Sequence, residues 1–122
     1  LSVVVSVHAP LTAATEKLFT YELFCQMKPD ASFINVGRGP IVDEAGLLRA
    51  LEEEKIAGAA LDVLCTEPMA ADNPLLAFQD SRRLLITPHI AWASREARQL
   101  LVQKLEENLK SFLDGGRLNR VC

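Results

Sequence analysis

Short apolar runs alternate with helical patterns along this chain, and this alternation restricts the fold more than any other feature. The apolar runs have the length of buried strands, and they cover residues 2–7, 32–36, 58–63 and 84–87. Helical spacing covers residues 20–27, 44–54 and 94–113, with candidate N-caps at Thr20, Asp43 and Ser94. Strands that alternate with helices predict an α/β fold with a parallel sheet and right-handed crossovers.

The apolar residues also predict which faces are buried. Residues 2–7 are apolar almost throughout, which is typical of a strand covered on both faces. Helical spacing predicts an inner stripe on the second helix and an apolar stripe on the last. These stripes are Leu47, Leu48 and Leu51, and then Ala97, Leu101, Leu105, Leu109 and Phe112.

Composition excludes several classes of protein. The 122 residues are 49% hydrophobic and 24% charged, as in globular domains, and the net charge is −3. The basic residues do not cluster, so a nucleic-acid partner is not expected, and no apolar run approaches the ~20 residues that span a bilayer. Three cysteines (Cys25, Cys65 and Cys122) without a C-x-x-C pair predict reduced thiols in a cytoplasmic protein. A nucleophilic role for Cys65 is disfavoured, because no base accompanies it in the sequence.

Polar residues lie at or just beyond the end of every predicted strand. They are His8, Arg38 between Gly37 and Gly39, Asp62 with Glu67 beyond it, and His89. The carboxyl ends of parallel strands lie at one edge, where open α/β sheets bind ligands. Taken singly, an Arg after a strand is usually a surface charge, a lone His is usually a surface or capping residue, and Glu67 before Pro68 can start a turn. Asp62 is less ordinary, because an unpaired buried carboxylate is costly. Their joint placement predicts a site.

The residue types at this edge suit proton transfer on a substrate that bears a carboxylate. The planar fork of Arg38 matches a carboxylate, and its flanking glycines allow close backbone approach to a ligand. His89 can give or take one proton, and Glu67 beside it would favour imidazolium. Asp62 can accept a hydrogen bond from a cofactor amide. A redox reaction would need such a cofactor. The sequence contains no metal-ligand spacing, G-x-S-x-G elbow, P-loop or G-x-G-x-x-G turn, since position 42 is Val.

A series of motifs in order along the chain resembles the D-2-hydroxyacid dehydrogenase family, in the C-terminal part of its NAD-binding domain. The matching segments are Val7-His8-Ala9-Pro10-Leu11 with Thr15, Met27-Lys28-Pro29, Ile34-Asn35-Val36-Gly37-Arg38-Gly39, Gly58-Ala59-Ala60-Leu61-Asp62-Val63, Glu67-Pro68, Asn73-Pro74-Leu75 and Thr87-Pro88-His89-Ile90-Ala91. Leu64 departs from the pattern, because an aromatic residue is common there. The segment from His89 to Ser94 is most similar to the glycerate dehydrogenase (hydroxypyruvate reductase) branch.

The resemblance implies residue roles. Arg38 would bind the substrate carboxylate, His89 would be the general acid and base, and Glu67 would hydrogen-bond His89. Asp62 would bind the nicotinamide carboxamide. The residues expected to contact NAD are His8, Pro10, Val36, Gly37, Arg38, Asp62, His89 and Ala91. Trp92 is expected either to border the substrate pocket or to pack between domains.

The resemblance also implies how the chain fits a larger protein. Residues 1–93 would be the outer half of a doubly wound, Rossmann-like NAD-binding domain, and residues 94–122 a helix that returns to the substrate domain. The intact enzyme would be a cytoplasmic homodimer acting on a small 2-hydroxy or 2-keto acid. The choice between NAD and NADP would be made upstream of this chain. As a fragment, the chain would expose the 2–7 edge and associate through it.

Two alternatives share part of this pattern. The C-terminal-binding corepressors are relatives that keep the Arg, Glu and His on the same scaffold and bind NAD and partner peptides. A complete single-domain protein such as a receiver domain has a similar length. A receiver domain would place an acidic cluster at the end of the first strand, where this chain has His8-Ala9-Pro10.

Overall fold

The fold of residues 2–121 was obtained as a computed structural model. Two compact units divide the chain, the first ending at His89 and the second beginning at Ile90. The predicted boundary between residues 93 and 94 stays a prediction about the larger protein.

The first unit contains a four-stranded parallel sheet. Its strands are β1 (Val4–Val7), β2 (Ser32–Asn35), β3 (Gly58–Leu61) and β4 (Leu84–Ile86). They lie in the order β1-β2-β3-β4, and every neighbouring pair is parallel. The predicted α/β class and the contiguous half-sheet are therefore confirmed. β1 and β4 are the two edges, and Val4 on β1 is 52% exposed.

Three helices accompany the sheet: α1 (Tyr21–Phe24), α2 (Glu44–Glu52) and α3 (Arg95–Leu113). α1 is shorter than the predicted 20–27, because the amides of Gln26 and Met27 bond three residues back, as in a 3₁₀ turn. Two 3₁₀ helices, Gly39–Ile41 and Pro74–Ala77, lie between the predicted strands and helices. Thr20 and Asp43 hold N-cap positions without a side-chain bond, whereas Ser94 Oγ accepts from the Ala97 amide.

The core of this unit is built on one row of side chains from the sheet. The Phe33 ring is fully buried and lies 4.8 Å from the ring centroid of Phe19 and 5.1 Å from that of Phe24. From α2, Leu47 and Leu51 are fully buried, as predicted, and Leu48 is half-buried. α1 and α2 therefore cover the face of the sheet to which Phe33 points.

The opposite face of the sheet corrects one expectation. Successive residues of a strand point to opposite faces, and here burial alternates with them. Val4 and Leu85 are 52% and 60% exposed, while Ile34 and Ala60 are half-buried. Coverage of β1 on both faces was thus wrong for the residues described. From the strands, the core cluster gathers side chains of the face to which Phe33 points.

The second unit consists mainly of α3. Its predicted apolar stripe is exposed: Leu101, Leu105, Leu109 and Phe112 are 57–76% exposed, and none of the helix residues that the structure describes is buried. The contact of this stripe with a substrate domain stays a prediction. Between residues 2 and 121, no helix combines the length and the apolarity that crossing a membrane requires.

Candidate active site

The strand register brings the predicted site segments to one edge of the sheet. Val7 pairs with Asn35, Asn35 with Leu61, and Leu61 with Ile86, so the four strands end level with one another. The ladder then continues one residue further through the amides of Val36, Asp62 and Thr87, at 3.2, 2.9 and 2.9 Å from the preceding strand's carbonyls. The predicted convergence of the strand ends is confirmed.

The centre of the site is a histidine–carboxylate pair. The Nδ1 atom of His89 lies 2.7 Å from Glu67 Oε2. The His89 backbone N–H donates to the Asp62 carbonyl at 2.9 Å, which ties the turn after β4 to the end of β3. His89 has φ of 55°, a left-handed conformation that non-glycine residues adopt only where their surroundings hold it. The ring is therefore fixed through both its backbone and its Nδ1 atom.

The Glu67 carboxylate is held by a second donor. The Leu64 backbone N–H donates to Glu67 Oε1 at 2.9 Å, while Oε2 faces His89. The hydrogen bond with His89, followed by that from Leu64, lowers the pKa of Glu67 below its ordinary value. Glu67 is thus ionised at neutral pH and can orient an imidazolium.

This lowered pKa predicts a pH-dependent contribution to folding. The ionised Glu67 stabilises the fold above its unfolded pKa, and that contribution is lost as the pH falls through the folded pKa. We expect Glu67→Gln to reduce the free energy of unfolding at neutral pH, and the difference from the parent chain to shrink under acid conditions. Urea unfolding over a pH series measures this. Glu52→Gln, an exposed position on α2, is the control, and an equal pH dependence in both variants would contradict the prediction.

A hollow of about 520 Å³ opens beside this pair. Asp62, which is 5% exposed, lines it together with Glu67 and His89. The Thr87 hydroxyl donates to Asp62 Oδ1 at 2.5 Å and fixes the carboxylate at the wall. The remaining lining is largely apolar: Leu64, Pro68, Met69, Ile86 and Pro88. Such a hollow suits a flat, weakly polar group with one hydrogen-bonding end.

The other predicted cofactor residues line a second hollow of about 500 Å³. It is formed by His8, Ala9, Pro10, Leu11, Val36, Gly37 and Arg38. Arg38 is exposed, and its Nη1 donates to the Gly37 carbonyl at 2.8 Å. The structure thus gathers Asp62, Glu67 and His89 around one hollow, and Arg38 with the His8 segment around another. Ala91 and Trp92 belong to the second unit, and their predicted roles stay predictions.

The sequence analysis missed the residue that shapes the Arg38 turn. Asn35 is fully buried; its Oδ1 accepts from the Gly37 amide and its Nδ2 donates to the Arg38 carbonyl, both at 3.0 Å. The signal was a polar residue at the last position of an apolar strand. A buried amide is stable only when its donors and acceptors are paired, and here the turn pairs them.

The flanking glycines allow close approach between segments of the chain itself. A Cβ on Gly39 would lie 1.9 Å from the Leu64 carbonyl oxygen, and one on Gly37 would lie 2.9 Å from that of Ala9. The glycines therefore let the turn approach the chain's own backbone, and their expected role toward a ligand stays a prediction. This contact places Arg38 beside the loop that carries Glu67.

Cys65 adjoins this loop, and its surroundings disfavour the thiolate form. Desolvation, and then the nearby Glu44 carboxylate, raises the pKa of Cys65 to about 11. Its Sγ lies 3.6 Å from the Val42 carbonyl oxygen. A thiol with so high a pKa is protonated at neutral pH, which agrees with the sequence-based expectation.

Comparison with known proteins identifies the family. Residues 1–91 match the NAD-binding domain of the D-isomer specific 2-hydroxyacid dehydrogenases. The chain belongs to this family, and the predictions of the family and of an NAD-binding domain are confirmed.

Two curated relatives and one solved structure show the extent of the likeness. Over 118 residues the chain is 42% identical to glycerate dehydrogenase of Methylorubrum extorquens and 41% identical to hydroxypyruvate reductase of Blautia hydrogenotrophica. Each alignment covers 97% of this chain, but 37% and 36% of the relatives. An acyclic imino acid reductase in complex with NADPH and D-arginine has a TM-score of 0.84 and 38% identity, over 97% of this chain and 36% of that one. The chain thus spans about a third of the length of these proteins.

Proposed function

We propose that this chain supplies the nicotinamide end of the cofactor site and the acid–base residues of a D-2-hydroxyacid dehydrogenase. The enzyme would transfer hydride between NAD(P) and a small 2-hydroxy or 2-keto acid such as glycerate or hydroxypyruvate. The observation that carries the proposal is the 2.7 Å contact between His89 and Glu67 at the carboxyl edge of the sheet, beside the buried Asp62.

The residues at this edge fit a nicotinamide nucleotide. The largely apolar hollow beside His89 offers a surface to a planar ring, and the Asp62 carboxylate at its wall is an acceptor suited to a carboxamide N–H. His8, Pro10, Val36 and Gly37 line the neighbouring hollow and would contact the remainder of the cofactor. Bound there, the cofactor would supply or accept the hydride, which no protein side chain can do.

The side chains of this chain would handle the proton and the substrate charge. Glu67 engages His89 at Nδ1, so exchange with the substrate would use Nε2. In reduction, His89 would give a proton to the substrate carbonyl oxygen; in oxidation, it would take the hydroxyl proton. The Arg38 guanidinium would bind the substrate carboxylate and keep it in a fixed orientation.

The enzyme's cellular location and its assembly with a substrate domain are also part of the proposal. Cys25 and Cys65 are free thiols, which supports a cytoplasmic location. The exposed apolar stripe of α3 fits a contact with a substrate domain formed by the remaining length of the relatives, within a homodimer. Residues 94–122 would then belong to that domain and residues 1–93 to the cofactor domain.

Turnover by a protein that carries this chain at the full length of its relatives tests the proposal. We expect hydroxypyruvate-dependent oxidation of NADH or NADPH. Glyoxylate and pyruvate are tested as alternative substrates, and the rates with the three acids are compared to show which acid the enzyme prefers. If the protein bound the cofactor but turned over none of these three acids, the proposal of an enzyme would be overturned. That result would point to an NAD-binding regulatory protein on the same scaffold. Turnover with glyoxylate or pyruvate alone would overturn the glycerate assignment only.

A further inference from the structure

One buried carboxylate takes no part in the chemistry proposed above. Glu44, the first residue of α2, is 8% exposed. A buried carboxylate is costly unless donors surround it. Its Oε1 accepts from the Cys65 backbone N–H at 2.7 Å, and its Oε2 accepts from Asn73 Nδ2 at 2.9 Å. Both donors belong to one segment, residues 65–73, and that segment contains Glu67.

The two contacts hold opposite ends of the segment. Cys65 directly follows Leu64, whose N–H donates to Glu67 Oε1, so the carboxylate bound at Cys65 also fixes the donor that orients Glu67. At the other end, Asn73 Oδ1 accepts from the Leu75 amide at 2.9 Å and caps the second 3₁₀ helix. The Asn73 amide thus has a fixed orientation, with its NH₂ group toward Glu44.

We propose that Glu44 is a positioning residue for the His89–Glu67 pair: it fixes both ends of segment 65–73, so that the Glu67 carboxylate is presented to His89. The proposal rests on the function assigned above to that pair. Glu44 was not among the predicted site residues. It lies in the first turn of α2, where the helix dipole favours negative charge in any case.

The hydrogen-bond chemistry offers a sharp test. Glu44→Gln keeps the shape of the side chain but leaves one acceptor oxygen for two donors, the Cys65 N–H and the Asn73 NH₂ group. The Asn73 amide cannot exchange the positions of its oxygen and nitrogen without losing the hydrogen bond from Leu75. The double change Glu44→Gln with Asn73→Asp restores the pattern, because the new amide donates to the new carboxylate and still accepts from Cys65. Asn73→Ser is a milder change. It keeps a capping oxygen for the Leu75 N–H and removes the side-chain amide that donates to Glu44.

The quantity measured is the pKa of the Glu67 carboxyl, obtained from a carbon-13 NMR titration of the 122-residue chain. In the parent chain this pKa is lowered by His89 and Leu64. We expect it to rise toward its ordinary value in Glu44→Gln, to rise less in Asn73→Ser, and to return to the parent value in the double variant. Glu52→Gln, exposed on the same helix, is the matched control and should leave it unchanged.

Each outcome decides the proposal. An unchanged Glu67 pKa in a folded Glu44→Gln or Asn73→Ser variant would overturn it, as would a double variant that folds without restoring the parent value. Should Glu44→Gln fail to fold, Asn73→Ser carries the test. The titration needs neither cofactor nor substrate, so its result is independent of whether the enzyme turns over hydroxypyruvate.

Discussion

His89→Gln is expected to lower kcat by about 10²–10⁴-fold in the active full-length enzyme, the usual contribution of general acid–base catalysis. In the parent chain, Glu67 Oε2 lies 2.7 Å from His89 Nδ1. The amide of the replacement can still donate to this oxygen, so the surrounding loop should keep its position. The amide cannot give a proton to a carbonyl oxygen at neutral pH, and the chemical step therefore loses its acid. Steady-state rates at saturating hydroxypyruvate and NADH measure the loss.

Two comparisons separate this effect from damage to the fold. Gln79→Ala, at an exposed position whose Nε2 donates to the Ala77 carbonyl and which lies outside both hollows, should leave kcat unchanged. The free energy of unfolding of the chain should change by less than about 1.5 kcal/mol in His89→Gln, as for a conservative replacement of a half-buried group. A kcat within tenfold of the parent would show that His89 is not the acid.

The sequence predicted the features that depend on short-range pattern. Runs such as residues 32–36 identified strands, and polar residues immediately after them identified the edge where His8, Asp62 and His89 gather. Parallel strands that end level must bring such residues together, so the site followed from the fold class.

The sequence did not reveal features that depend on contacts between distant segments. Asn35 and Glu44 look like an ordinary strand end and helix start, and their roles appear only once the Arg38 turn and the Cys65 loop are placed against them. The stripe of α3 has the period of a buried face, yet Leu105 is 68% exposed, because periodicity shows that a face is apolar and not what covers it.

Gly39→Ala is expected to destabilise the chain by about 3 kcal/mol, the upper part of the range for overpacking. The added Cβ would lie 1.9 Å from the Leu64 carbonyl oxygen and 2.0 Å from its carbonyl carbon, and both are backbone atoms that cannot rotate away. The Arg38 turn and the loop that begins at Leu64 must separate, and the Leu64 N–H that holds Glu67 moves with the loop. Urea unfolding gives the stability, and the Glu67 pKa should rise as well.

Gly115→Ala is the matched control, because it adds the same methyl group where nothing lies within 4 Å. Gly115 has φ of 72°, so this variant carries only the strain of a left-handed residue, about 1–2 kcal/mol, at the end of α3. It should leave the Glu67 pKa unchanged. If Gly39→Ala cost no more than Gly115→Ala and left that pKa in place, the turn and the loop would not be in the close contact that joins Arg38 to the His89–Glu67 pair.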